Sequence, residues 1–401
     1  MKKGLGVSVL QAAQDRIKYC FDHFDKVYIS FSGGKDSSVT FHLAAAEAIK
    51  RNRRLGVLLI DLEAQYDLTI QHAEEMCDLY ADIIDLHWVC LPMKLRNAVS
   101  NYEPVWCAWD SAKKDSWVRE IPLRQGVISD PAFFDFFEPG MEFEEFIELF
   151  AIWYSRGAST AALIGIRADE SLNRWRTICK WEKSTHFGKR WTTEVVDGVF
   201  NAYPIYDWHV NDIWRFHAVY PDKAHNRIYD RMHAAGLSPS QMRLCQPYGD
   251  DQRRGLWLFH LLEPQTWGKI IARVNGANSG ALYVTERGNV TGYGKITLPP
   301  GHTWKSFCNL LLATMPDVTR DHYLRRFRGW LKGWHDRGYL NGIPDFAPPE
   351  LEKKCWAPSW RRMCKVLLRN DWWCKGLGLT QPKSEAYARY KQLKSARKGS
   401  E

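Results

Sequence analysis

The sequence contains no apolar run approaching the roughly 20 residues that a membrane-spanning helix needs. Its first residues, Met1-Lys2-Lys3-Gly4, lead into a mixed amphipathic segment and not into the apolar core of a signal peptide. The ten cysteines are scattered, with no CxxC pair among them. Together these absences lead us to expect a cytoplasmic chain with no membrane association and mostly buried thiols. No internal repeat, low-complexity tract or Walker A loop of the form GxxxxGKS or GxxxxGKT occurs.

What is present is a globular composition: 401 residues, 45% hydrophobic and 25% charged, long enough for more than one domain. The net charge of +9 favours polyanionic partners, and a nucleotide alone would satisfy part of that preference. The excess is uneven, since residues 383–401 hold six Lys or Arg against two Glu. Such a tail suits nucleic acid, although a solvated, frayed terminus reads the same way. Many of the 19 tryptophans lie beyond residue 200, as walls of a groove or as core.

Apolar spacing predicts a helix over 10–24 and a short buried strand over 26–31. A helix over 36–50, a strand over 55–61, a helix over 69–80 and a strand over 87–91 follow. This alternation is the signature of βαβ units, so the fold class expected is α/β with a doubly wound parallel sheet. The pattern loosens over 101–150, which reads as an insertion, and a buried strand returns at 161–166. We therefore expect an α/β nucleotide-binding domain over 1–220, a helical extension over 221–275, and a mainly helical C-terminal region over 276–401.

Between the first strand and the second helix lies Ser32-Gly33-Gly34-Lys35-Asp36-Ser37. Two glycines let the backbone turn sharply and approach a ligand with no Cβ in the way. The helix start adds orphan N–H donors and the positive end of its dipole. Ser32 and Ser37 can donate hydroxyls to phosphate oxygens and Lys35 can neutralise charge, whereas Asp36 is placed to position a loop amide or a Mg²⁺ ion. A plain strand-to-helix turn is the alternative, and the agreement of six positions with both flanking elements weighs against it. A second constellation, Gly165-Ile166-Arg167-Ala168-Asp169-Glu170 with Arg174, follows the 161–166 strand. Ligands of open α/β sheets bind beyond the carboxyl ends of the strands, where Arg167 and Arg174 can grip phosphate or sulfate and Glu170 can orient one of them. A solvated, charge-alternating helix start reads these residues equally well. Asp61 and Glu63, closing the second strand, suit Mg²⁺ or a ribose hydroxyl, with helix capping as the alternative.

The 32–37 segment resembles the SGGxDS motif of the PP-loop ATP pyrophosphatase superfamily. That resemblance implies the adenine nucleotide alpha hydrolase fold, ATP or a PAPS-like adenine nucleotide as ligand, and attack on the α-phosphate with release of pyrophosphate. Residues 165–174 are similar to the G-x-R-x-x-E-S-x-x-R element of PAPS reductases and ATP sulfurylase small subunits. Tyr203-Pro204-Ile205 through Trp208, with Asp212-Ile213-Trp214, resembles a further segment of that group. The stretch from Asn226 to Gly249 looks like a narrower PAPS reductase-like branch, described as co-activators of prophage gene expression. Membership there implies a ParB-like partner.

The ECGxH motif of true PAPS reductases is absent, as are the paired cysteines of the iron–sulfur type. Cys245, with Arg243 beside it and Arg253 and Arg254 farther along, is the thiol best placed to be activated, with a buried inert cysteine as the alternative. Cys355, Cys364 and Cys374 have no finger-like spacing. The leading expectation is adenylyl transfer by Lys35, Asp36, Arg167 and Arg174, in sulfur handling or nucleic-acid modification. The alternatives are a thiol-dependent reductase using Cys245 and a non-catalytic, nucleotide-sensing regulator associated with DNA.

Overall fold

The computed structural model describes residues 6–179, 182–239, 241–249, 256–277 and 296–380. Its strands are β1 (Lys26–Ser30), β2 (Leu55–Ile60), β3 (Ile84–Val89), β4 (Lys94–Arg96), β5 (Val105–Cys107), β6 (Val127–Ile128), β7 (Thr160–Ile164), β8 (Thr192–Val196) and β9 (Val199–Ala202). The first nine helices are α1 (Val9–His23), α2 (Lys35–Lys50), α3 (Asp67–Leu79), α4 (Phe143–Ser155), α5 (Leu172–Cys179), α6 (Val210–Val219), α7 (Ile228–Ala234), α8 (Leu256–Leu262) and α9 (Pro264–Arg273). They are followed by α10 (Trp304–Thr314), α11 (Asp317–His335), α12 (Pro349–Lys353) and α13 (Trp360–Leu368).

Seven strands form one sheet in the order β6-β3-β2-β1-β7-β9-β8. All pairs are parallel except β8 with β9. Strands β1 and β2 read as continuous apolar runs because parallel strands covered on both faces bury every side chain. Tyr28, Leu58, Val89 and Ala162 pack with Phe146 and Phe150 of α4, and each fully buried phenylalanine contributes on the order of 2–3 kcal/mol. Helix α2 lies against β1, β2 and β7 and buries twelve of its residues, including its first turn. From β1 the chain winds outward through β2, β3 and β6, then returns to the other side of β1 with β7 and β9. The carboxyl ends of β1 and β7 are therefore the topological switch point, where open α/β sheets hold their ligands.

The parallel, doubly wound expectation holds, with one antiparallel edge added. Val196 pairs with Val199 across Asp197-Gly198, a two-residue hairpin turn in which Gly198 has φ +75°. The third strand lies at 84–89, three residues before its expected start at 87.

The chain divides into two compact units that interleave in sequence. One comprises 1–94, 107–246 and 258–269, and the other 95–106, 247–257 and 270–401. This division differs from consecutive blocks over 1–220, 221–275 and 276–401, and β6 and α4 of the expected insertion over 101–150 fall in the first unit. The second unit has its own core, in which Trp304, Cys308, Tyr323, Phe327, Trp330, Met363 and Cys364 bring α10, α11 and α13 together. Among the described residues no helix is long and apolar enough to cross a membrane. The basic tail over 383–401 lies outside the described residues.

Candidate functional site

After β1 the backbone turns through Ser32, Gly33 and Gly34 and enters α2 at Lys35. Gly33 has φ +69°, and a Cβ there would stand 2.8 Å from Thr69 Cγ2. Gly34 is the N-cap and offers no capping side chain, and the start of α2 is buried. The Ser37 and Ser38 hydroxyls both donate to Gly34 O at 2.9 Å, and Ser37 Oγ lies 3.1 Å from the Ser32 hydroxyl. A glycine turn running into a helix start with no N-cap side chain is the kind of geometry that anions use elsewhere.

Residues far away in sequence hold the loop from behind. Asn226 is 1% exposed, and its amide donates to Gly33 O and to Thr69 Oγ1, both at 3.0 Å. The Tyr229 hydroxyl accepts the Lys35 N–H at 3.1 Å, and the Lys35 ammonium lies 5.3 Å from the Tyr229 ring centroid. The same ammonium donates to Met242 O at 3.1 Å and pairs with Asp36 Oδ2 at 3.3 Å. One of its three donors thus remains for an anion at the loop. Neither Asn226 nor Tyr229 carries a local sequence signal for this role, because the contact spans more than 190 residues.

Asp36 and Arg167 pair with each other across the switch point. Arg167 Nε donates to Asp36 Oδ1 at 2.5 Å, Arg167 Nη1 pairs with Asp169, and Asp169 Oδ2 meets His209 Nδ1 at 3.0 Å. Burial works against the Arg167 charge, and Asp36, Asp169 and Glu170 outweigh it, holding the guanidinium above its ordinary range. The Asp36 carboxylate already serves two cations, and no group of three His, Cys, Asp or Glu residues suited to a metal occurs among the described residues. In this arrangement Asp36 serves as an ion-pair partner of Lys35 and Arg167. Gly165 has a backbone role: a Cβ there would come within 2.8 Å of Ser37 Cα and 3.0 Å of Asp36 O, so only glycine lets the end of β7 touch the first turn of α2.

Asp61 and Glu63 are buried organisers and do not present carboxylates to a ligand. Asp61 accepts from Trp88 Nε1 at 2.8 Å, from the Glu63 N–H at 3.0 Å and from Arg119. Glu63, at 0% exposure and φ +65°, accepts the Trp109 N–H at 2.8 Å and the Val118 N–H at 3.1 Å. Their expected part in Mg²⁺ or ribose binding gives way to holding the 107–119 segment, since a buried carboxylate must be satisfied locally.

Glu170 accepts the Arg167 N–H at 3.3 Å and lies 3.9 Å from Arg174, which is half exposed. Arg243 donates to Glu170 O at 3.2 Å, so the strip carrying Met242 and Arg243 runs beside both the loop and the 165–174 segment. Cys245 on that strip is exposed, so the alternative of a buried thiol does not hold. Arg253 and Arg254 lie outside the described residues.

A cavity of about 780 Å³ lies at the amino ends of β1 and β3, away from the loop. Four of its cations have hydrogen-bond partners: Lys26 donates to Tyr154 O, Arg53 to Phe24 O and Asp25 O, Arg54 to Asp85 and Arg124 to Asp78, while Arg156 lies over the Trp153 ring. The carboxyl ends of β1 and β7 remain the site.

Residues 26–236 match the phosphoadenosine phosphosulfate reductase domain, and residues 236–354 match a domain of unknown function, DUF3440. The chain is 40% identical over 391 residues to the uncharacterized protein YbdN of Escherichia coli (strain K12), covering 97% of this chain and 94% of that protein. Among solved structures it is similar to the PAPS reductase of Candida auris, at 11% identity and TM-score 0.31 over 57% of this chain and 93% of that one. It is also similar to the U34-tRNA thiolase NcsA of Methanococcus maripaludis, at 12% identity and TM-score 0.33 over 72% and 84%. Because the domain match spans more than half of the sequence and contains both the anion seat and the Asp36–Arg167 clamp, the chain belongs to the phosphoadenosine phosphosulfate reductase domain family.

Proposed function

We propose that this protein binds an adenine nucleotide at Ser32–Ser37 and transfers its adenylyl group. The acceptor attacks the α-phosphorus, the α–β bridging bond breaks, and pyrophosphate leaves. The observation that supports this reading is the buried start of α2 at the switch point, which has a glycine turn in place of an N-cap side chain and the Lys35 ammonium beside it. Those amides and that ammonium stabilise the charge that develops on the departing pyrophosphate. Half-exposed Arg174 is the candidate group for holding the acceptor. Formation of pyrophosphate and an adenylylated acceptor from ATP supports the reading, and production of ADP and orthophosphate alone overturns it.

A second reading takes a PAPS-like nucleotide: the Cys245 thiolate attacks sulfur, the S–O bond to the nucleotide phosphate breaks with the nucleotide as leaving group, and an external dithiol then releases sulfite from the S-sulfonated cysteine. The exposure of Cys245, two residues from Arg243, favours it. Loss of sulfite production from PAPS and a dithiol reductant in Cys245→Ala, with nucleotide affinity intact, supports this route, and unchanged turnover removes it. The ParB-like partner belongs to a regulatory reading that rests on resemblance alone. Co-purification of a tagged ParB-like protein with the full chain tests it.

A further inference from the structure

Helix α5 starts directly after Ser171, where the candidate site ends, and six of its eight residues are exposed. Leu172 is 60% exposed and Trp175 50%, and only Ile178 is buried. The 183–190 stretch packs at the helix's carboxyl end, with Lys183 Nζ donating to Ile178 O at 2.6 Å and Arg190 donating to Cys179 O at 3.5 Å. This stretch raises a second ring into solvent: Phe187 is 82% exposed and has φ +43°, a conformation costly for a bulky residue. The same two stretches carry the exposed cations Arg174, Arg176, Lys189 and Arg190. Glu170, 3.9 Å from Arg174, and Glu182 are the acids next to them in this part of the sequence.

We infer that α5 and the 183–190 stretch form a binding surface for single-stranded nucleic acid. Exposed aromatic rings interleaved with Arg and Lys match a strand whose unpaired bases stack while its phosphates follow the cations. A duplex hides its base faces and cannot use the rings in this way. A lipid surface is a poorer match, because the rings are set apart by Arg174, Arg176 and Lys189 and α5 also exposes Asn173 and Thr177. The inference deepens the proposed adenylyl transfer by naming the acceptor class. It rests on that reading for the chemistry alone, since binding is measured without ATP.

The test is fluorescence anisotropy of the full chain with labelled oligouridylate and oligothymidylate of about 12 nucleotides, a duplex of equal length, and phosphatidylglycerol vesicles. Single strands are expected to bind more tightly than the duplex, with affinity falling steeply between about 50 and 200 mM salt. Trp175→Ala with Phe187→Ala is expected to weaken binding on the order of tenfold per ring. Arg176→Ala with Lys189→Ala is expected to flatten the salt slope by roughly 0.7 per cation. These positions are exposed, so circular dichroism and ATP affinity are expected to stay unchanged. Equal duplex affinity, vesicle binding alone, no oligonucleotide binding, or indifference to the ring substitutions overturns the inference. Oligonucleotide binding without pyrophosphate release would instead refute adenylyl transfer and leave the surface standing.

Discussion

Replacing Asp36 with asparagine separates a structural clamp from a metal ligand. Asp36 and Arg167 have side chains 11% and 5% exposed, and they join the first turn of α2 to the end of β7 through a contact of 2.5 Å. Removing one member of such a buried pair costs about 3–5 kcal/mol when the other is left alone. Arg167 keeps Asp169, and the asparagine oxygen still accepts a hydrogen bond, so a loss of roughly 1–3 kcal/mol is expected. Arg167→Met is expected to lose a similar amount. The double variant should fall short of the sum by about 1–3 kcal/mol, because its second change removes a contact already broken. Urea unfolding of the four proteins measures the cycle. Additivity to within about 0.5 kcal/mol refutes the clamp. So does a Mg²⁺ binding signal, measured by calorimetry without nucleotide, that the wild type shows and Asp36→Asn abolishes.

Three further expectations follow from the same geometry. Gly165→Ala drives a Cβ against the Asp36 and Ser37 backbone, so ATP affinity is expected to fall at least tenfold with about 1–3 kcal/mol of stability, and an unchanged dissociation constant contradicts the close-approach role. Asn226→Ala leaves Gly33 O and Thr69 Oγ1 without their donor, at about 1–3 kcal/mol, and nucleotide binding should weaken with no contact to the ligand itself. His42 is held down to about 4, chiefly by burial, so the folded chain binds its proton less tightly than the unfolded chain, whose value is near 6.5. Stability present above pH 6.5 is therefore lost as pH falls towards 4, by up to about 3 kcal/mol, and His42→Gln should show a flatter curve over that window.

The parts of the fold legible in the sequence are those in which local signals agree. β1, the Gly33-Gly34 turn and α2 follow one another with an apolar run, two glycines and a helix start, and the structure places them within a residue of expectation. The hairpin joining β8 and β9 had a signal in Asp197-Gly198, but both strands are short and β8 is the sheet's edge, so alternation is weak. Asp61 and Glu63 show the limit of motif reasoning. Their place after β2 suits a ligand, yet the tertiary fold brings Arg119 and the Trp109 and Val118 amides to them and consumes both carboxylates. Glycine at 165 looked like part of a motif, and only packing shows that it serves the approach of β7 to α2.

Taken alone, the chain's order of residues determined the candidate seat for an anion, because a glycine turn and a helix start with no N-cap side chain act over six consecutive positions. The tertiary structure decided what surrounds that seat. It decided that Asp36 answers to Arg167, that Asn226 and Tyr229 brace the loop, and that Trp175 and Phe187 stand in solvent. Each of these depends on partners set by strand order and burial, over sequence distances at which no local pattern carries information.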